Sequence, residues 1–112
     1  DLGEIGDNGI ALVEKAGLIL LQRRNLYLIF KEAVNNAMKY AGAQHLTVTL
    51  KDDQQAVVLE VIDDGKGFEM DAKKDGNGLH NMKKRAAEAS GTITLKSAPG
   101  AGTAIHLELP LS

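Results

Sequence analysis

Three polar side chains at helical spacing are the first candidates for chemistry in this sequence. Glu32, Asn36 and Lys39 stand at positions i, i+4 and i+7, so a helix would carry them on one face. A carboxylate, an amide oxygen and an ammonium are suited to orienting a nucleophile, ligating Mg²⁺ and neutralising phosphate charge. The same pattern, taken alone, is also typical of a solvated helix face.

A second candidate site follows an apolar segment, where residues 63–68 read DDGKGF. An acid at the end of a strand can accept a hydrogen bond from a ligand, and alternate glycines let that ligand approach the backbone. Asp63, Gly65 and Gly67 are therefore candidate binding residues. Taken alone, the segment is also compatible with an ordinary Asp-Gly turn.

Two further glycine-containing segments stand near the ends of predicted elements. Residues 76–79 read GNGL and lead into a helical pattern. Unpaired amides at a helix start favour a phosphate, although this spacing is neither that of a P-loop nor that of a dinucleotide-binding motif, and a flexible linker is the alternative interpretation. Residues 99–104, PGAGTA, predict a hairpin turn that places the hydroxyl of Thr103 at the start of the last apolar segment.

Two helical patterns predict the elements that hold some of these side chains. Residues 20–41 contain neither Gly nor Pro and predict one long helix, which Gly42 should end. Residues 79–90 predict a second helix, which Gly91 should end. Glu32, Asn36 and Lys39 would then lie on the first helix, and the segment GNGL would open the second.

Alternating apolar residues predict the sheet. They occur in four segments that form two hairpins, 46–50 with 56–62 and 92–96 with 103–109. Residues 1–17 hold four glycines around a short apolar patch, which indicates a loop plus an edge strand. The expected fold class is α+β, a two-layer α/β sandwich whose mixed, mostly antiparallel sheet carries helices on one face. The length of 112 residues fits a single domain over residues 1–112.

Composition excludes several classes of function. The net charge is −2 and no segment concentrates Lys and Arg among aromatics, so no nucleic-acid partner is expected. The absence of cysteine excludes disulfides and Cys-ligated zinc, and it fits a cytoplasmic location. The longest apolar stretch, residues 18–21, is too short to cross a bilayer, so no direct membrane contact is expected. Because the first residue is Asp, we expect a longer parent protein, and a membrane-anchored parent is compatible with these features.

In their order, the four motifs resemble those of the GHKL ATPases, the group that includes gyrase, heat-shock chaperones, histidine kinases and mismatch-repair proteins. The resemblance extends over about residues 24–110. Residues 32–41, EAVNNAMKYA, look like the N box of these proteins. The segments DDGKGF and GNGL look like the G1 and G2 boxes, and Gly102-Thr103 looks like the final glycine-threonine motif. The resemblance implies the GHKL ATPase fold.

Details around the boxes are similar to one branch of sensor histidine kinases. Residues 23–32 and 78–86 look like the flanking sequence of the nitrate-sensor type, which also has an acidic residue at the start of its N box and a short lid between the G boxes. A serine kinase of the anti-sigma-factor type is the alternative, since its N box also carries an acidic residue. A degenerate scaffold that no longer binds nucleotide would require lost motif residues, and all of them are present.

The resemblance implies an ATP site that uses Mg²⁺ as a cofactor. Asp63 would accept a hydrogen bond from the adenine amino group with the assistance of Thr103, and Asn36 would ligate Mg²⁺. Glu32 would act as the catalytic residue that polarises the attacking group. The other implied nucleotide contacts are Lys39 and Tyr40 at the phosphates, Gly65 and Gly67 beside the base, and Gly76, Gly78 and Leu79 in the lid.

The partners follow from the same resemblance. A histidine kinase of this type transfers the ATP γ-phosphate to a histidine that is followed by an acidic residue on a dimerisation domain, and it acts indirectly on a response regulator. His45, His80 and His106 are each followed by a residue that is not acidic. The acceptor domain is therefore expected outside this chain, and the isolated domain is not expected to phosphorylate itself.

Overall fold

Two helices and four strands make up the described part of this chain. The computed structural model describes residues 18–39, 42–53, 55–67 and 76–111, with residues 39 and 76–79 described through the backbone only. The elements follow one another as α1 (Leu20–Lys39), β1 (Leu46–Asp52), β2 (Ala56–Asp63), α2 (Gly76–Glu88), β3 (Thr92–Ser97) and β4 (Thr103–Pro110). The edge strand predicted within residues 1–17 lies outside the described residues. The extent of a single domain over residues 1–112 stays a prediction.

The four described strands form one antiparallel sheet in the order β1-β2-β4-β3. The pairings of β1 with β2 and of β3 with β4 confirm the two predicted hairpins. The central pair, β2 with β4, joins the hairpins and aligns Asp63 with Thr103. At the same end of the sheet, Leu46 pairs with Asp63 and Ser97 pairs with Thr103. One end of each of the four described strands therefore lies at the same edge of the sheet, and this edge carries the candidates Asp63 and Thr103.

The core lies between the sheet and the two helices. Strand side chains alternate, so one face of the sheet is buried while residues such as Glu60 and Glu108 point away from it. Both helices cover the buried face, which confirms the predicted α+β sandwich. The main buried side chains are Leu26, Ile29 and Ala33 of α1, Met82, Ala86 and Ala89 of α2, and Val57, Leu59, Val61, Ile105, Leu107 and Leu109 of the sheet.

The predicted cap of the first helix is present at Gly42, whereas α1 itself is described up to Lys39 because residues 40 and 41 lie outside the described residues. Gly42 adopts a left-handed backbone with φ of 60°, and the N–H of Ala43 donates to the carbonyl of Ala37 at 3.2 Å. Space does not require glycine here, because a Cβ at Gly42 would meet no atom within 4 Å. The 20 residues of α1 include several charges, and neither of the helices within the described ranges has the length and apolarity that a membrane crossing requires.

The second helix begins earlier than predicted. The sequence pattern predicts Leu79 as its first residue, whereas α2 starts at Gly76. Gly76 and Gly78 therefore lie in the first helical turn instead of in the preceding loop. The amides of that turn have no intrahelical acceptor in any helix, so the weak helix propensity of glycine is least costly there.

The C-terminal end of α2 also differs from the prediction. Ser90, not Gly91, adopts the left-handed backbone, with φ of 59°. The N–H of Gly91 donates to the carbonyl of Ala86 at 2.8 Å and that of Ser90 donates to Ala87 at 3.0 Å, the pattern of a Schellman motif. Gly91 is required for another reason. A Cβ there would lie 2.6 Å from a methyl of Leu109, so the start of β3 approaches β4 too closely for a side chain.

Candidate functional site

Three polar side chains meet at one end of the sheet. Asp63 ends β2, Thr103 opens β4 and Ser97 ends β3, and the register places Thr103 between the other two. The Ser97 hydroxyl donates to the carbonyl of Gly102 at 2.9 Å. Because that bond uses the hydroxyl proton of Ser97, the Thr103 hydroxyl is the donor across the 2.9 Å between the two side-chain oxygens. Thr103 then keeps lone pairs that can accept a hydrogen bond from a ligand or a water molecule.

Asp63 is the acidic member of this group. Only 9% of the residue is exposed, and its Oδ1 accepts a hydrogen bond from the N–H of Gly65 at 2.8 Å. The second carboxylate oxygen forms no hydrogen bond with any residue that the structure describes. An amino group that docked against this oxygen would form a strong, charge-assisted hydrogen bond.

Two glycines allow the turn after β2 and the turn between β3 and β4 to approach each other closely. Gly67 has a φ of 66°, and a Cβ on it would lie 2.1 Å from the carbonyl oxygen of Ala98. Gly102 has a φ of 74°, and its Cβ would lie 2.1 Å from the carbonyl oxygen of Asp63. The close approach that requires Gly67 is thus an approach of the protein's own backbone. Room for an adenine base beside Gly65 and Gly67 stays a prediction.

The candidates on the helices lie beside a groove between α1 and α2. The groove has a volume of about 310 Å³ and is lined by Leu28, Lys31, Glu32, Asn35, Asn81, Met82 and Arg85. Glu32 is half-buried, and it forms no ion pair within the described residues although Lys31 and Arg85 line the same groove. Its carboxylate is therefore available to a group that enters from outside.

Asn36 lies one turn after Glu32 on α1. Its side chain is half-buried and forms no hydrogen bond with another residue in the described parts of the chain. Because Glu32 and Asn81 line one groove, the second half of α1 lies beside the first half of α2. Asn36 is not among the residues that line the groove, and its amide oxygen is available to a ligand.

The structure describes the remaining predicted residues less fully. Lys39 is the last residue of α1 and is described through its backbone alone. Gly76, Gly78 and Leu79 lie in the first turn of α2, also through the backbone alone. Tyr40 lies outside the described residues. The predicted contacts of these residues with a nucleotide stay predictions.

The residue after Asp63 is anchored to the loop before β1. Oδ1 of Asp64 accepts hydrogen bonds from the backbone N–H groups of Gln44 and His45, each at 2.9 Å, and Oδ2 lies 2.7 Å from Nδ1 of His45. The N–H of Asp64 donates in return to the carbonyl of His45 at 3.3 Å. The backbone N–H of His45, followed by its imidazole, lowers the pKa of Asp64 to about 2.

Sequence reasoning missed Ser97 and Asp64 as members of this region. Ser97 lies one residue beyond the predicted end of its strand, although counting the register back from Thr103 places the two residues side by side. Asp64 lies within the motif DDGKGF, for which the sequence predicts roles only at Asp63, Gly65 and Gly67. No local signal identifies His45 as that partner, since it lies 19 residues earlier in the chain.

Comparison with known proteins assigns the family. Residues 22–112 match the family model described as the histidine kinase-, DNA gyrase B- and HSP90-like ATPases. This chain belongs to that family. The region of this ATPase domain that matches includes every predicted site residue from Glu32 to Thr103.

Two curated relatives of the ATPase domain carry names that describe signalling. Sensor protein VraS of Staphylococcus haemolyticus (strain JCSC1435) is 36% identical over 89 residues, which are 79% of this chain and 26% of that protein. Sensor histidine kinase LiaS of Bacillus subtilis (strain 168) is 39% identical over 88 residues, which are 78% of this chain and 24% of that protein. The ATPase domain therefore spans about a quarter of the length of these relatives.

Solved structures agree on the fold. The ATP binding domain of PrrB from Mycobacterium tuberculosis superposes with a TM-score of 0.65 at 25% identity, covering 80% of this chain and 68% of that one. Histidine kinase AdeS from Acinetobacter baumannii superposes with a TM-score of 0.67 at 19% identity, covering 80% of this chain and 47% of that one. The likeness confirms the predicted fold class.

Proposed function

We propose that this chain is the ATP-binding catalytic domain of a sensor histidine kinase and that it donates the γ-phosphate of ATP to a histidine outside the chain. The observation that carries the proposal is the group of Asp63, Thr103 and Ser97 at the end of the sheet, in a chain of the ATPase family. The names of the curated relatives support the kinase assignment.

The adenine base is proposed to dock against Asp63. An amino group of the base would donate to the carboxylate oxygen that has no partner among the described residues, while the N–H of Gly65 holds the other oxygen at 2.8 Å. Thr103 would accept or relay a second hydrogen bond at the same edge, because its own proton is directed to Ser97. A carboxylate selects adenine over guanine, since guanine presents a carbonyl oxygen where adenine presents the amino group.

The phosphates and Mg²⁺ are proposed to lie toward α1. The residues fit a magnesium site, because this ion commonly takes one or two protein oxygens and completes its shell with phosphate and water. Asn36 offers a half-buried amide oxygen without a hydrogen-bond partner among the described residues. When bound, the ion would neutralise phosphate charge; Lys39 and Tyr40 would bind the phosphates, and Gly76, Gly78 and Leu79 would form the lid.

The transfer itself requires an acceptor histidine from another domain. A nitrogen lone pair of that imidazole would form the N–P bond as the bond between the γ-phosphorus and its bridging oxygen breaks, and ADP would leave with the electron pair. Glu32 is proposed to hydrogen-bond the opposite N–H of the imidazole and so raise the nucleophilicity of the attacking nitrogen. The half-buried carboxylate of Glu32 has no ion-pair partner in the described residues that would compete for this role.

The relatives favour this proposal over the serine kinase of the anti-sigma-factor type, because one relative is named a sensor protein and the other a sensor histidine kinase. We further propose that the chain belongs to the nitrate-sensor branch and works in the cytoplasm as part of a longer parent with a response regulator as an indirect partner. The acidic residue that opens its N box and the sequence after GNGL support the branch assignment.

The proposal is tested at Asp63. Asp63→Asn replaces the carboxylate oxygen with an amide group and should lower the affinity for ATP at least about tenfold, since a charge-assisted hydrogen bond contributes roughly 1.5–3 kcal/mol. Calorimetric titration with ATP measures the change, and circular dichroism checks that the variant is folded. Wild-type affinity in a folded Asp63→Asn variant would refute the adenine site.

A further inference from the structure

An acid that the proposed chemistry does not use stands beside the proposed adenine acceptor. Asp64 is 47% exposed at its side chain, yet it makes three contacts with the loop before β1. The N–H groups of Gln44 and His45 converge on Oδ1, and the imidazole of His45 contacts Oδ2 at 2.7 Å. A surface carboxylate that only improved solubility would not need this set of contacts.

These contacts fix the backbone on both sides of Asp63. Leu46 pairs with Asp63, and the bond from the N–H of Asp64 to the carbonyl of His45 continues the ladder one step beyond the strand. On the opposite side, Gly102 approaches so closely that a Cβ on it would lie 2.1 Å from the carbonyl oxygen of Asp63. Residues 63 and 64 are thus held between the loop before β1 and the turn before β4.

The same loop follows the helix that carries the proposed magnesium ligand. It begins at Gly42, just beyond α1, and the N–H of Ala43 donates to the carbonyl of Ala37, next to Asn36. Asp64 therefore connects the helix side of the nucleotide site to its base side through residues 42–45.

We infer that Asp64 is a positioning residue for the nucleotide site: its carboxylate ties the end of β2 to the loop after α1 and so sets the orientation in which Asp63 meets the base. The inference rests on the proposed function, in which Asp63 binds adenine. It predicts that Asp64 affects the selectivity for adenine as well as the affinity, because only a correctly oriented acceptor distinguishes an amino group from a carbonyl.

The chain offers a matched control. Asp53 lies at the opposite end of β2 and also caps a turn, with its Oδ1 accepting hydrogen bonds from the N–H groups of Gln55 and Ala56 at 3.0 and 2.7 Å. Asp53→Ala removes the same kind of carboxylate and the same kind of turn contact at a distance from the site. It reports what the loss of such a turn cap does to stability alone.

The experiment measures ATP and GTP affinities of Asp64→Ala, Asp64→Asn and Asp53→Ala by competition at a temperature where each is folded. We expect Asp64→Ala to lose about five- to tenfold in ATP affinity and less in GTP affinity. Asp64→Asn keeps an acceptor for the backbone N–H groups of Gln44 and His45. It should lose about twofold in ATP affinity and show a smaller fall in the ratio of ATP affinity to GTP affinity. Asp53→Ala should keep the wild-type ratio.

An unchanged ATP-to-GTP ratio in folded Asp64→Ala would overturn the inference, as would an equal fall in the ratio in Asp53→Ala. If Asp64→Ala does not fold, the ratio in Asp64→Asn decides in the same way. Failure of the wild-type chain to bind ATP has a different meaning, since it refutes the proposed function itself. If Asp63→Asn abolishes ATP binding and Asp64→Ala leaves it unchanged, only the positioning role of Asp64 is refuted.

Discussion

At the scale of the residue, Asn36 is the position where a substitution is expected to weaken the effect of Mg²⁺ on ATP binding without weakening the binding of the adenine base. Asn36→Ala removes the proposed amide ligand, so the gain in ATP affinity that Mg²⁺ produces should shrink by about tenfold or more. Binding of adenosine, which carries no phosphate, should be nearly unchanged. Calorimetric titrations with and without Mg²⁺ measure both quantities.

The neighbouring Asn35 provides the control for that experiment. It also is a half-buried asparagine on α1, and it lines the groove without being assigned to the metal. Asn35→Ala should keep the Mg²⁺ dependence of the wild-type chain. If Asn36→Ala responds to Mg²⁺ as the wild type does, the ligand is a different residue.

Asp64 gives the chain a defined response to acid. Its pKa is lowered to about 2 in the folded state, so its contacts stabilise the fold above the unfolded pKa of 3.8 and lose that contribution as the pH falls toward 2. The excess stability of the wild type over Asp64→Asn should therefore be present at about pH 5 and decrease as the pH falls below about 4. Urea unfolding of both proteins across this range measures the difference.

Comparison with the variant removes the titration of the other carboxylates, which both proteins share. A difference in the free energy of unfolding that stays constant down to about pH 3 would contradict the lowered pKa. A difference that grows as the pH falls below about 4 would reverse the sign of the proposed effect, since it would mean that the folded chain binds protons at this carboxylate more readily than the unfolded one.

At the scale of the element, the end of α2 carries avoidable strain. Ser90 adopts φ of 59°, a conformation that costs an L-residue more than glycine, and its side chain is exposed. Ser90→Gly should raise the free energy of unfolding by about 0.5–1 kcal/mol, which for a chain of this size raises the melting temperature by roughly 2–8 °C. Thermal unfolding measures the shift.

The adjacent glycine shows that the gain depends on position. Gly91→Ser would place a Cβ 2.6 Å from a Leu109 methyl and 2.7 Å from the carbonyl oxygen of Glu108, so it should destabilise the fold. If Ser90→Gly and Gly91→Ser changed the free energy of unfolding by the same amount, the left-handed backbone at Ser90 would not be the cause of the strain at this helix end.

At the scale of the whole molecule, the chain is expected to bind ATP but to lack an acceptor. His45 is 82% exposed in a loop, His80 is exposed on α2, and His106 lies on the outer face of the sheet between Glu60 and Glu108. None of them is followed by an acidic residue. With radiolabelled ATP, the isolated chain should therefore acquire no acid-labile label.

Adding a dimerisation domain with an acceptor histidine should restore transfer, weakly, because the docking that covalent linkage provides must now occur at low effective concentration. Fusing the same domain to the chain should increase the rate, and Glu32→Ala should reduce it in both formats. Acid-labile label on His45, His80 or His106 of the isolated chain would contradict the proposed division between catalytic and acceptor domains.

Local pattern predicted most of the elements and their motifs. The period of apolar residues located α1 and the two hairpins within two residues, because the burial of one helix face or one sheet face imposes that period directly on the sequence. The order of the motifs along the chain identified the ATPase resemblance that the family comparison then supported. Asp63 and Thr103 could be proposed as partners before their register was known.

The tertiary structure decided what depends on contacts between distant segments. The pairing of Ser97 with Thr103 follows from the register of β3 and β4, and the contact of Asp64 with His45 follows from the way in which the loop after α1 returns to the sheet. Gly67 and Gly91 owe their identity to backbone or side-chain atoms of other elements. These requirements leave no local period, since the atoms that impose them are brought near only when the whole sheet has formed.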